Sequence, residues 1–163
     1  MPPFITDYDL HLFAEGTHYR IYRKLGAHVI ELDGRRGVHF AVWAPNARRV
    51  SVIGDFNGWD KSKDPLAPLG SSGIWARFIP DLGPGPSYKY HIVSHHHNYW
   101  SDRADPCGVH MEVRPGTASR IHDLGYAWGD GGWMGGRGRA NALSAPISIY
   151  EVHLGSWRRK NGD

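Results

Sequence analysis

Seven tryptophans stand in this chain of 163 residues, several among small polar neighbours: "FNGWD" (56–60), "NYWSD" (98–102) and "AWGD" (127–130). A flat indole packs against the apolar C–H face of a sugar ring, while Asn, Lys or Asp beside it reach the hydroxyls at the rim. Saccharide binding is therefore the chemistry these clusters offer. The competing reading is packing, because an indole buries a large area and can plug the open end of a β-sandwich. From the residues alone both stay open.

Other chemistries find less support. His95, His96 and His97 are consecutive among eleven histidines. On an extended strand such neighbours point to opposite faces, whereas zinc ligands must converge, so the run reads as a solvated loop and no metal is expected. "GGWMGGRGRA" (131–140) lacks the lysine and the strand–helix setting of a phosphate loop. No serine sits in a nucleophile elbow, and no two carboxylates are placed by spacing as acid and nucleophile. Cys107, between Pro106 and Gly108, reads as a small turn or core residue. No catalytic residue and no cofactor is implied.

The totals narrow the partners. The formal charge is +3, without a block of five like charges, which argues against a nucleic-acid partner. A single cysteine excludes an internal disulfide and fits a reducing, cytoplasmic setting. "MPPFITDYDL" is not a signal peptide, and no apolar run approaches the roughly 20 residues of a membrane span.

Periodicity supplies the scaffold. "TDYDLHLFAEGTHYRIYRKLG" (6–26) predicts a helix of about two turns, capped by Thr6 or Asp7, with Leu10 and Phe13 on one face. A second weak turn follows through Tyr19 to Leu25. The period then becomes two. Strands are predicted at 28–32, 37–44, 48–55, 73–79, 87–93 and 109–113, separated by "DGRRG", "APNA", "PLGSSG" and "LGPGP". In the second, Val38, Phe40 and Val42 share one face and His39, Ala41 and Trp43 the other. Short strands so spaced indicate a mainly β fold, an all-β sandwich. Residues 126–146 are Gly-rich and read as a linker, and 147–157, "ISIYEVHLGSW", is again strand-like and apolar.

"VHFAVWAPNARRVSVIGDFNGWD" (38–60) resembles the N-terminal carbohydrate-binding module of 1,4-α-glucan (glycogen) branching enzymes, a module type that also occurs in starch debranching enzymes and in the glycogen-binding β subunit of AMP-activated kinase. "DYDLHLFAEGTHYRIYRKLGAH" (7–28), "SYKYHI" (87–92), "ADP" (104–106), "RPGTAS" (114–119) and "APISIYEVHLGSWRRKNGD" (145–163) match in the same order, over nearly the whole chain. The resemblance implies four segments: an N-terminal helical extension (1–27), an immunoglobulin-like β-sandwich module (28–125), a linker (126–146) and the first strand of a catalytic (β/α)8 barrel (147–163).

The enzymes so resembled move an α-1,4-linked glucan segment onto a 6-hydroxyl by a retaining double displacement. Two carboxylates about 5 Å apart on a barrel of roughly 250 residues carry that reaction. The 17 residues from 147 to 163 hold none of those motifs, so the chain taken by itself is expected to be non-catalytic. The implied partners are α-1,4-glucan and the barrel.

The kinase-type module binds glycogen with a tryptophan after its "FN" turn, a lysine in its "YK" strand and a second tryptophan ahead of an Asp-Pro. Trp59, Lys89 and Trp100 stand at these places. Asn57 matches the turn asparagine, and Ser119 falls where the family often has Asn. Three roles are open for Trp59: sugar platform, plug over the sandwich edge, or contact to the barrel. Trp43 is expected on a sheet face, Trp75 in a cross-strand pair, and Trp128, Trp133 and Trp157 against the barrel.

Overall fold

β2 (Arg35–Trp43) is the central strand around which the first sheet is organised. β2 pairs antiparallel with β1 (Gly26–Leu32) on one edge and with β5 (Ile74–Pro80) on the other, and β4 (Ala67–Pro68) extends that sheet beyond β5. The second sheet is built on β6 (Ser87–Ser94). β3 (Ala47–Gly54) lies along one edge of β6, and β7 (Trp100–Arg103) and β8 (Ser119–Arg120) pair with it in succession, β7 at Tyr90–Val93 and β8 at Ser87–Tyr88. The structure is a computed structural model that describes residues 3–97, 99–140 and 142–157. The chain divides into units Met1–Leu124 and Gly125–Asp163, and the sandwich occupies the first. It is the predicted mainly β, immunoglobulin-like sandwich.

Val38, Phe40 and Val42 meet Val50, Val52, Tyr88 and Tyr90 between the sheets. Each such side chain contributes about 1.5–3 kcal/mol on burial. The other face of β2 is also closed, so that Gly37 to Val42 are all buried. Its cover is the N-terminal segment: Ile5 and Leu25, with Phe4, Leu10, Phe13 and Ile21, pack against Ala41, Ile74 and Ala76. The predicted helix is α1 (Asp7–Ala14), and its cap is Thr6 in a reciprocal capping box with Asp9. Burial works against the Asp9 carboxylate, but hydrogen bonds from Thr6, His18 and Lys24 outweigh it and hold the group far below the usual carboxylate range. A single 3-10 turn at Ile21–Arg23 follows, where the weak second turn was expected.

Some expectations are corrected. Residues 109–113 form no strand and contribute only one bridge, Met111 to Ser119. The Glu112 carboxylate turns inward, accepting from the Ala118 N–H at 2.8 Å and the Ser87 hydroxyl at 3.0 Å, so this stretch closes a loop rather than a ladder. β4, β7 and β8 carry no alternating apolar pattern and were not predicted; pairing to β5 and β6 creates them.

In the second unit, residues 131–140, read as part of the linker, form α2 (Gly131–Ala140), none of whose residues is buried. The strand read over 147–157 is not formed. Residues 147–153 have no strand partner among the described residues, and Leu154–Trp157 make α3, one helical turn. A strand exists through its neighbours' hydrogen bonds, and the described residues give this segment no ladder. Residues 158–163 of the expected barrel strand lie outside the described residues.

Candidate functional site

β3 ends at Gly54 and the chain turns through a 3-10 turn, Asp55–Asn57. Gly54 is required by contact: a Cβ there would lie 2.4 Å from the Ser87 carbonyl and 2.8 Å from the Phe56 ring. Asn57 is buried beneath the turn. Its Oδ1 accepts from the Gly54 N–H at 3.0 Å, and its Nδ2 donates to the Val52 carbonyl at 3.0 Å and to Asp64 Oδ2 at 2.8 Å. Two left-handed residues follow, Gly58 (φ 68°) and Trp59 (φ 61°). Glycine takes that conformation freely, but a bulky residue does not, so the surroundings must hold Trp59. The Trp59 backbone N–H donates to the Gly54 carbonyl at 2.9 Å and its indole Nε1 to Asp55 Oδ1 at 3.1 Å. Asp55 is fixed in turn by the Ser87 N–H at 2.7 Å. Trp59 remains 37% exposed.

Alternation along β6 sends Tyr88, Tyr90 and Ile92 to the core and Lys89, His91 and Val93 to the outer face. Lys89 lies opposite Ile53, and its Nζ donates to Thr117 Oγ1 at 2.7 Å. Val93 lies opposite Trp100, and His91 opposite Asp102. His91 Nδ1 is 2.7 Å from Asp102 Oδ1, and Lys61 Nζ is 3.3 Å from Asp102 Oδ2. The same ammonium stands 3.8 Å from the centre of the Trp100 ring, a cation–π contact. Burial opposes ionisation of Asp102, but His91 and Lys61 together hold it below the ordinary carboxylate range. Trp100 is still 55% exposed. Lys61 thus ties the loop carrying Trp59 to the strand carrying Trp100. Beside it lies a shallow hollow of about 370 Å³ lined by Arg49, Ser51, Asp60, Lys61, Ser62 and Pro65.

Of the five residues singled out in sequence, Lys89 and Trp100 lie on this outer face and Trp59 on the loop that Lys61 joins to it; the other two have different work. Ser119 is fully buried, accepting from the Asp105 N–H at 2.9 Å and donating to the Met111 sulfur. The hydroxyl that meets Lys89 belongs to Thr117, two residues earlier, in the loop that leads into β8. Asn57 builds the turn, with both amide atoms engaged inside it. Lys61, Asp102 and Thr117 were missed. No local pattern marks them; only strand pairing and the fold of the 55–66 loop bring them to the face.

The remaining candidates lie elsewhere. Trp75 pairs across strands with Val42 and Pro68, and its Nε1 donates to the Ala44 carbonyl at 3.1 Å. Trp43 is exposed on the other sheet, edge-on to Phe13. Trp128, Trp133 and Trp157 are exposed in the second unit. His95, His96 and His97 are exposed between β6 and β7, and among the described residues no three His, Cys, Asp or Glu side chains converge as metal ligands. Cys107 is half-buried and burial pushes its thiol up, away from reactivity.

Comparison with known proteins agrees with this architecture. The chain is 55% identical over 95% of its length to the 1,4-alpha-glucan branching enzyme GlgB of Thermosynechococcus vestitus, covering 20% of that protein. It is 54% identical over 98% of its length to the GlgB of Rubrobacter xylanophilus, covering 22% of it. The chain therefore spans about a fifth of the length of the curated relatives it matches. Among solved structures, a PulA mutant of Klebsiella pneumoniae in complex with maltotriose is 25% identical at a TM-score of 0.50, with 61% of this chain and 11% of that one aligned. Apo pullulanase of Paenibacillus barengoltzii shares the fold at 24% identity and a TM-score of 0.50, with 61% and 14% aligned. Residues 24–108 match the model of carbohydrate-binding module 48, the isoamylase N-terminal domain, and the chain belongs to that family.

Proposed function

We propose that this chain is an α-1,4-glucan-binding module serving a glycogen branching enzyme, in which it holds glucan weakly for a catalytic barrel that forms α-1,6 branches. Trp59 and Trp100 stack on glucose units, and Lys89 donates to a hydroxyl. The observation that carries the reading is the outer face of the β3–β6–β7 sheet: one exposed tryptophan and a half-buried lysine occupy it, and Lys61 draws the loop of the other tryptophan to it. Such a platform matches the alternation of apolar faces and hydroxyl rims along a glucan. Few stacked rings give modest affinity, and an uncharged ligand leaves that affinity nearly insensitive to salt. The module then contributes binding and local concentration of chains, with no catalytic residue of its own. Titration with maltoheptaose, followed by the indole N–H signals, tests it. Shifts at Trp59 and Trp100 are expected; a folded protein whose signals stay still at millimolar sugar overturns the reading.

A second reading, a docking sandwich that supports the barrel without binding sugar, draws on the C-terminal segment. Ile147, Ile149 and Leu154 are all more than four-fifths exposed. An apolar run of this kind is suited to pairing with barrel strands. Association in trans with a separately expressed barrel, together with silence towards maltoheptaose, is the result that favours it.

A further inference from the structure

We propose that the hollow lined by Arg49, Ser51, Asp60, Lys61 and Ser62 is a second saccharide subsite, continuous with Trp100 through Lys61, which receives further glucose units of a longer α-glucan. The inference rests on the glucan-binding reading and assigns that site a length preference.

Three observations carry it. The first is continuity: Lys61 is at once a wall of the hollow and the cation standing 3.8 Å from the centre of the Trp100 ring. A chain seated on Trp100 meets Lys61 and, past it, the hollow. The second is size. About 370 Å³ lies near the lower end of ligand pockets, which run from roughly 300 to 1,000 Å³, room for a short stretch of sugar rather than one ion or water. The third is chemistry. The lining offers cationic donors from Arg49 and Lys61, hydroxyls from Ser51 and Ser62, and an acceptor in Asp60. A sugar's vicinal hydroxyls each donate and accept, and mixed donors and acceptors answer that pattern. The mix speaks against a phosphate ligand, because the Asp60 carboxylate would repel one.

The hollow is also held in shape without ligand. Asp60 Oδ1 accepts from both the Ser62 N–H at 2.9 Å and the Ser62 hydroxyl at 2.7 Å, fixing the turn. Lys61 is anchored to Asp102, and Asp102 to His91. On the floor, Ser51 is bridged to Pro65. Little ordering is left for the sugar to impose.

The test compares maltotriose and maltoheptaose by isothermal titration of the whole chain and of Arg49→Ala and Lys61→Ala, with thermal midpoints as the folding control. Neither residue is part of the hydrophobic core and both are exposed, so both variants are expected to fold. In the native chain maltoheptaose should bind about fivefold or more tightly than maltotriose, a gain of the size of one ordinary net hydrogen bond. Arg49→Ala should remove that advantage and leave maltotriose binding unchanged; Lys61→Ala, which touches both places, should weaken both sugars. Equal affinities for the two sugars in the native chain, or an Arg49→Ala variant that keeps the length advantage, overturn the subsite while leaving the Trp59–Trp100 platform standing. Binding of neither sugar overturns both.

Discussion

The Tyr88 hydroxyl donates to Asp105 Oδ2 at 2.6 Å inside the sandwich, and Tyr90 reaches the same oxygen at 3.2 Å. The other oxygen, Oδ1, accepts the Cys107 N–H at 2.8 Å. Burial drives the Asp105 carboxyl up despite these donors, and burial together with the neighbouring Asp105 raises Tyr88 and Tyr90 as well. One carboxyl therefore fastens β6 to the chain after β7. Asp105→Ala leaves Tyr88 and the Cys107 amide short of an acceptor, while Tyr90 keeps the Ala41 carbonyl at 3.2 Å; it should destabilise the fold by about 3 kcal/mol, whereas Tyr88→Phe should cost about 1 kcal/mol. Urea denaturation checks both; equal small losses would show that the network carries little.

His39 gives the fold an acid sensitivity. Burial, then the nearby His28 and Lys24 charges, push its imidazole down from 6.5 to about 4, and its buried Nδ1 has no hydrogen-bond partner among the described residues. The unfolded chain therefore binds a proton that the native chain refuses. Stability should fall as pH drops through the window from 6.5 to 4, by up to about 3 kcal/mol from this group. His39→Gln should flatten that part of the profile, measured as denaturation midpoint against pH; an unchanged slope would assign the acid sensitivity elsewhere.

Trp59 and Asn57 separate binding from stability. Trp59→Gly removes the indole but relieves a left-handed backbone that disfavours a side chain by roughly 1–2 kcal/mol. It should abolish the sugar-induced signal with a net stability change under about 1 kcal/mol. Asn57→Ala should do the reverse, costing about 2 kcal/mol through the unpaired Gly54 N–H and Val52 carbonyl. Sugar binding would weaken only as far as the turn loosens. Calorimetry and titration on the same two samples settle the division.

Gly54→Ala tests the close approach at the start of the turn. Its methyl would meet the Ser87 carbonyl at 2.4 Å, a backbone atom that cannot rotate away. A loss of about 2–4 kcal/mol is expected, against about 1 kcal/mol for Gly58→Ala, where space is open and only the left-handed φ matters.

Trp43→Ala serves as the face control. Its ring packs on Phe13, on the β1–β2–β5 sheet. Maltoheptaose binding should be unaffected, and a loss of binding would move the site to the other sheet.

Period-two patterning made the long strands legible, because β2, β3, β5 and β6 alternate around a shared core. It failed where tertiary contacts alone make structure. Trp100–Arg103 becomes a strand by pairing with β6, and His39 and Ala41, on the face of β2 away from Val38 and Phe40, are buried because the N-terminal segment covers them. The same division holds at the site. Trp59, Lys89 and Trp100 sit in recognisable motifs, but tertiary packing decides that Ser119 is buried while Thr117 meets Lys89, and no composition reveals that. Lys61 reaches Trp100 across the fold of a loop, 39 positions away in the chain.

The cover that the N-terminal segment lays over β2 sets the span inherited as a family apart from the span that melts as one. The recognised module runs from 24 to 108. Yet Ile5 seals one face of the sheet, and Ala118, Ser119 and Ile121 fill the interior from the far end. An excised 24–108 would bare Ala41, Ile74 and Ala76 to water and open the bottom of the core. Grafting this module onto another protein therefore means transplanting residues 3–124 whole, with the flanks travelling as part of the cargo.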